Sequence, residues 1–158
     1  MNKLIYILLA FVSLTACTKE KEEVNSLSNF MELTIESSNS EIIWEATDFE
    51  NKLYDANNRT TLEITASAID GSTLHFILYD YRRQYGAEQI GVGDYVESAM
   101  ESHFDDTEGN RTILSNGGIS VTQIDPNEQR ITGNIFLSDT SQNFTVKGSF
   151  VNAEYDIQ

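Results

Sequence analysis

The residue types best suited to binding a ligand lie close together in the stretch YDYRRQYG. Its three tyrosines and two arginines are Tyr79, Tyr81, Arg82, Arg83 and Tyr85. Tyrosine rings stack on other rings and on cations, and arginine pairs with carboxylates through two parallel hydrogen bonds. The cluster therefore indicates a loop that binds a glycan, a peptide or a small ligand. A strand end with an amphipathic edge explains the same residues, and both interpretations stay open.

A second cluster, SHFDDTEGN, offers carboxylates to a hard cation such as Ca²⁺. Its candidate ligands are Asp105, Asp106 and Glu108. The spacing is not that of an EF-hand, because counting from Asp106 places Arg111 where glycine is needed and Gly117 where glutamate is needed. We therefore expect an acidic surface loop, no metal site and no cofactor.

The motifs of common catalytic sites are missing from the sequence. GxSxG and HExxH do not occur, and GVGDYV carries Val96 where a dinucleotide-binding loop needs its third glycine. Carboxylate pairs are uninformative in a chain with 25 acidic residues. Of the two histidines, His75 is predicted on the polar face of a strand. We expect that the protein is not an enzyme.

The N-terminus has the pattern of an exported protein. Lys3 precedes the apolar run LIYILLAFVSL, which spans 11 residues. A membrane-spanning helix needs about 20 apolar residues, whereas the hydrophobic region of a signal peptide is shorter and ends in small residues. Residues 1–16 are therefore predicted to be a signal peptide.

Leu14, Thr15, Ala16 and Cys17 resemble the lipobox of bacterial lipoproteins. The resemblance implies that Cys17 becomes the first residue of the mature chain and carries acyl chains, including palmitate. Two or more chains anchor a protein stably, whereas one holds it only marginally. Cys17 is also the only cysteine, so no disulfide framework can form. A free thiol is the alternative.

Residues 17–28 are polar and charged and are predicted to be a flexible tether. Within them, Lys21, Glu22 and Glu23 resemble the export signal of Bacteroidetes lipoproteins. That resemblance implies an outer-membrane lipid anchor with the protein on the cell surface; a periplasm-facing lipoprotein is the alternative. The formal net charge of −15 argues against binding to nucleic acid and to anionic lipid head groups.

Residues 29–158 are predicted to form one all-β domain, because apolar residues alternate with polar ones along at least seven segments. TLEITASA, TLHFILY and RITGNIFL are typical, and Asp70-Gly71 is predicted to make a two-residue hairpin turn. The segment 94–104 fits either a short helix or a strand with a loop. Short links favour an antiparallel meander of about seven to nine strands, folded as a β-sandwich or a flattened up-and-down, lipocalin-like barrel.

The motifs WEA, GVGDY, GISVTQID, RITGNIFL and VKGSF, in this order, resemble small Bacteroidetes lipoproteins with an uncharacterised domain, the DUF6252-like group. The resemblance covers about residues 30–155 and implies no activity. In that group a glycine is followed two places later by an aromatic residue, whereas here Phe136 stands three places after Gly133. A shift of one place predicts that the aromatic ring lies on the opposite face of the sheet.

Three residues are predicted to have structural roles. Gly133 and Gly148 lie inside strands and are expected at a bulge or a close backbone approach rather than in a ligand site. Trp44 is predicted to anchor the core, with its indole N–H bonded to a partner.

Function is predicted only in outline. The domain is expected to be a non-catalytic binding module for a glycan, a peptide or a basic protein, held to the membrane by its lipid. The alternatives are an acidic inhibitor or immunity-type lipoprotein that neutralises a basic toxin or lytic enzyme, and a structural envelope protein.

Overall fold

A computed structural model describes residues 29–38, 40–56, 59–80 and 90–158. The predicted anchor residues 14–17 and 21–23, and four of the five residues of the tyrosine–arginine cluster, lie outside these ranges. Only Tyr79 of that cluster is described. The strands are β1 Phe30–Ser37, β2 Ser40–Glu45, β3 Asp48–Ala56, β4 Arg59–Ser67, β5 Thr73–Asp80, β6 Gly93–Val96, β7 Met100–Asp105, β8 Arg111–Ile113, β9 Asn116–Asp125, β10 Arg130–Asp139, β11 Phe144–Glu154 and β12 Asp156–Ile157.

The strands form two six-stranded sheets. Sheet A has the order β2-β1-β11-β10-β9-β6, and sheet B has the order β12-β3-β4-β5-β7-β8. Each ladder is antiparallel except that of β12 with β3, which is parallel. The all-β prediction is confirmed, and the architecture is sandwich-like with no closed barrel.

The predicted meander of seven to nine strands is wrong in number and in order. The described ranges contain twelve strands, and β11 lies between β1 and β10 rather than at the end of a sheet. The sequence pattern missed β8 and β12 because they are three and two residues long. It missed β3 because this strand carries few apolar residues, and polar Asn51 is among those it buries.

The core lies between the two sheets and is built from the predicted alternation. In β4, β5 and β10 the apolar residues of one face are buried, and the residues between them, which are mostly polar, face outward. The fully buried side chains include Leu62, Ile64, Leu74, Phe76, Leu78, Leu137 and Phe150.

Trp44 is buried in this core, as predicted, although β2 is an edge strand. Its indole Nε1–H donates to Ser72 Oγ at 2.8 Å, and the Ser72 hydroxyl donates to Asp70 Oδ1 at 2.6 Å. Its ring meets Phe104 edge-on, with ring centroids 6.2 Å apart. The tryptophan therefore ties β2 of sheet A to the β4–β5 turn and to β7 of sheet B.

The two strand glycines lie at close backbone approaches, as predicted. A Cβ atom on Gly133 would lie 2.5 Å from Ser120 O and would overlap the Phe150 ring, and the register of β10 shifts next to this residue. A Cβ atom on Gly148 would overlap Glu32 O and would lie 2.9 Å from Leu33 Cα. Both positions therefore need glycine for space.

Two local predictions are settled by the turns. The β4–β5 turn is a three-residue loop closed by Ala68 N–H donating to Ser72 O, and Gly71 alone in it has a positive φ, of 89°. The two-residue turn predicted there is therefore wrong. Residues 94–104 form most of β6, a short 3₁₀ turn at Glu97–Ala99 and most of β7.

The described residues contain no helix long and apolar enough to cross a bilayer.

Candidate binding face

The outer faces of the two sheets differ in the side chains that cover them. Sheet B carries long side chains that bury one another partly, among them Tyr54, Glu63, His75, Tyr79 and His103. Around the middle of β9, β10 and β11, sheet A carries the long side chains of Phe136 and Lys147 among short ones, which are Gly118, Ser120, Asn134, Ser138 and Ser149. A partner can therefore approach the backbone of sheet A more closely than that of sheet B.

One line of directly opposed residues crosses all six strands on the outer face of sheet A. It runs through Ile43, Thr34, Lys147, Phe136, Gly118 and Val96, from β2 to β6. We call it the transverse row. Neighbouring strands lie about 4.8 Å apart, so the row is about 24 Å long. Its apolar members Ile43, Phe136 and Val96 are 62%, 58% and 52% exposed.

Phe136 is the central aromatic residue of this row. Ile135 and Leu137 on either side of it are buried in the core, so the strand alternation turns the Phe136 ring outward. This confirms the face predicted from its displaced position after Gly133. An exposed aromatic ring between small polar neighbours provides apolar contact area that is already positioned by the sheet.

Gly118 lies between Phe136 and Val96 in the transverse row, where β6 leaves no room for a side chain. A Cβ atom on Gly118 would lie 2.8 Å from Tyr95 O and 3.2 Å from Val96 Cγ1. The glycine thus allows β6 to pack tightly against β9, and no side chain stands between Phe136 and Val96 in the row.

The end of the face formed by β1 and β2 is acidic. Glu36 lies directly opposite Glu41, and Glu32 directly opposite Glu45, on either side of the Thr34–Ile43 pair. Lys147 is ion-paired with Glu36, and this contact raises the pKa of the lysine. Like charges directly opposite each other destabilise a sheet. The fold tolerates two such pairs at this end.

Tyr79, the described residue of the predicted cluster, lies on the other sheet. Its hydroxyl donates to Glu101 Oε1 at 2.5 Å, and the guanidinium carbon of Arg59 lies 3.6 Å from its ring centroid. Burial and the Glu101 carboxylate raise its pKa to about 12, with Arg59 opposing them. Arg59 therefore occupies one face of the ring that was predicted to stack on a ligand.

The two histidines are stacked on the outer face of sheet B, which is the polar face predicted for His75. Their ring centroids are 4.7 Å apart, and Thr65 Oγ1 lies 3.0 Å from His75 Nδ1. The pKa of His103 is lowered chiefly by burial, then by Arg111 and His75, whereas Asp105 raises it. His103 and Glu101 also line a cleft of about 500 Å³ beside β7 and β8.

The acidic loop after β7 uses its carboxylates within the protein. Asp105 accepts two hydrogen bonds of 2.8 Å from Arg111. Asp106 accepts bonds from the backbone N–H groups of Glu108 and Asn110 and from the Asn110 side chain. In the described part of the chain, no group of three or more histidine, cysteine or acidic side chains is placed to hold a metal ion.

Comparison with known proteins adds no relative. A scan of family models, a search of curated proteins and a search of solved structures found no match to the chain.

Sequence reasoning missed the transverse row as a unit. The outward position of Phe136 can be predicted from the alternation in β10. Alternation does not reveal that Ile43 and Val96 lie on the same line, because the register of β1 on β11 joins residues more than 100 positions apart.

Proposed function

We propose that the protein is a lipid-anchored lipoprotein of the cell envelope whose β-sandwich is a non-catalytic binding module. In this proposal Cys17 carries the lipid in the outer membrane, and the domain faces the cell surface. The outer face of sheet A, centred on Phe136, contacts the partner. The observation that carries the proposal is the transverse row, which exposes three apolar side chains on one regular surface.

The composition of the face supports a binding role. Single exposed apolar residues are ordinary on protein surfaces, but Ile43, Phe136 and Val96 are aligned. Rows of serine, asparagine and glutamate flank them on both sides. An apolar centre with a polar rim is the usual organisation of a protein interface.

A photo-crosslinking experiment tests this proposal in living cells. A benzophenone amino acid is placed at position 136 of the full chain, and the cells are irradiated. We expect a discrete crosslinked adduct at 136, because a partner bound to the face lies in contact with that side chain.

The matched control is the same amino acid at position 69. Ile69 lies in the β4–β5 turn, away from the face, and is 93% exposed. An adduct at 136 that is missing at 69 supports the binding face. Equal adducts at both positions, or none at 136, would contradict it.

The acidic end of the face favours one more specific candidate, an inhibitor or immunity-type protein for a basic toxin or lytic enzyme. Charge complementarity of this kind speeds association and is weakened by salt. If this candidate is correct, cells lacking the gene become more sensitive to neighbouring strains. Cells whose protein carries Glu41→Gln and Glu45→Gln show a smaller increase in this sensitivity. Unchanged sensitivity of the deletion strain would count against it.

A further inference from the structure

β2 is the least protected of the four sheet edges in the described structure. The other edge strands are β6, β8 and β12, of four, three and two residues, whereas β2 has six. Proteins usually protect an edge with a short strand, charged side chains (lysine above all), a proline or a bulge, and of these β2 has only the charges of Glu41 and Glu45. The sequence of β2, SEIIWE, has neither lysine nor proline, and its pairing with β1 is continuous.

The backbone of β2 directs hydrogen-bonding groups away from the sheet. Ala46 N–H donates to Met31 O at 3.0 Å, which marks this pair as hydrogen-bonded. Hydrogen-bonded and non-hydrogen-bonded pairs alternate along an antiparallel ladder. The N–H and C=O groups of Glu41, Ile43 and Glu45 therefore point outward, in the direction that an added strand would occupy.

The side chains of this edge offer apolar contacts on both faces. Ile43 projects to the outer face, and Ile42 projects to the opposite face at the margin of the core, where it is 49% exposed. In strand addition, backbone hydrogen bonds supply affinity and alternating side chains supply specificity. β2 provides both kinds of contact.

The negative charge beside β2 determines what kind of strand can pair with it. Glu41 and Glu45 lie on β2 itself, and each faces a second glutamate across the ladder. A second copy of this chain would bring the same carboxylates against them, so charge opposes self-pairing through β2. A segment with lysine or arginine at alternate positions would instead place cations beside the carboxylates.

We propose that β2 binds an extended, basic segment of another protein by strand addition to sheet A. This inference rests on the proposed binding function and names the chemistry of the partner. It concerns the edge of sheet A, whereas the crosslinking experiment addresses its face, so each can fail without the other.

The test uses a labelled, end-capped peptide of alternating lysine and valine, added to the purified full chain and followed by fluorescence anisotropy. We expect binding that weakens with salt. Ile43→Pro should weaken it by about ten-fold or more, because proline removes an outward N–H and blocks the edge. Ile43→Ala keeps that N–H and should weaken it less. The emission of Trp44, the only tryptophan, checks that β2 remains folded.

A fully N-methylated version of the peptide gives a test that needs no variant, because it keeps every charge and has no ladder donors. Loss of its binding supports strand addition. Equal binding of both peptides, no binding of either, or an Ile43-dependent dimer of the protein would overturn the inference. Ile113→Ser, on the edge strand β8 of sheet B, removes a similarly exposed side chain and should leave peptide binding unchanged.

Discussion

Ser72 joins the core to the β4–β5 turn through a single hydroxyl group. That group accepts the Trp44 indole N–H and donates to Asp70. The bond from the Ser72 hydroxyl, together with one from the Ser72 backbone N–H, lowers the pKa of Asp70. Ser72→Ala should reduce the free energy of unfolding by about 1–3 kcal/mol, because it leaves a buried indole N–H without an acceptor. Urea denaturation followed by Trp44 emission measures the change.

The control for Ser72 is Ser67→Ala, which removes a hydroxyl from the same hairpin without touching the indole. A loss as large as that of Ser72→Ala would show that the indole bond is not the cause.

The phenol of Tyr79 should titrate well above the usual range, at a pKa of about 12. Because the folded pKa is above the usual value of about 10, its contribution to stability is present below pH 10 and is lost as the pH rises towards 12. Absorbance after a rapid pH jump should show a step near 12 that Tyr79→Phe removes. If Tyr79→Phe instead removed a step near pH 10, the arrangement with Glu101 would be contradicted.

His103 should make the protein less stable in mild acid. Its folded pKa is below the ordinary value of 6.5, so between the two values the unfolded chain binds more protons. Stability is therefore complete above pH 6.5 and falls as the pH drops through the lowered pKa. The groups facing the ring are His75, Asp105 and Arg111.

Unfolding free energies measured from pH 7.5 to 5.5 test this effect. His103→Gln should flatten the pH dependence, because glutamine does not take up a proton. An equally steep decline in the variant would assign the effect to other groups.

Among the secondary-structure elements, β10 has a strict packing requirement at Gly133. Gly133→Ala places a methyl group against Ser120 O and the Phe150 ring, and overpacking of this kind typically costs about 1–3 kcal/mol. Asn134→Ala changes the next residue on the exposed face and should be nearly neutral. Thermal or urea unfolding of the two variants measures the difference, and equal stability would mean that the sheets relax around the new methyl group.

The strands that could be predicted from the sequence are those in which apolar and polar residues alternate clearly. Alternation is clear in β4, β5 and β10, and there the buried residues are the predicted ones. β3 escaped prediction because its buried Asn51 is satisfied by a distant residue, donating to Glu154 O at 2.7 Å. A bond across 103 positions leaves no pattern in the sequence around either residue.

The same limit applies to the candidate site. The sequence drew attention to tyrosines and arginines, which are conspicuous by type. The transverse row consists of ordinary residues on six strands, and their alignment depends on sheet order and register. Phe136 alone could be assigned to its face in advance, because that assignment needs only the alternation within β10.

On the scale of the whole molecule, the proposed anchor is tested at Cys17. Cys17→Ala should abolish incorporation of labelled palmitate, because the thiol is the attachment point that the lipobox resemblance implies. Fractionation should then find the variant released from the membrane. Full labelling of Cys17→Ala would contradict the assignment, and Thr18→Ala serves as a neighbouring control that should label normally.

Residues 156–158 have a structural role at the edge of sheet B, where they pair with β3. Asp156 and Ile157 pair with Lys52 and Leu53, and Gln158 N–H donates to Leu53 O at 3.0 Å. These residues cover part of β3, a nine-residue strand that would otherwise end sheet B with a long free edge. Deleting residues 156–158 would uncover that edge and favour aggregation. A tag fused after Gln158 would begin directly beside this ladder.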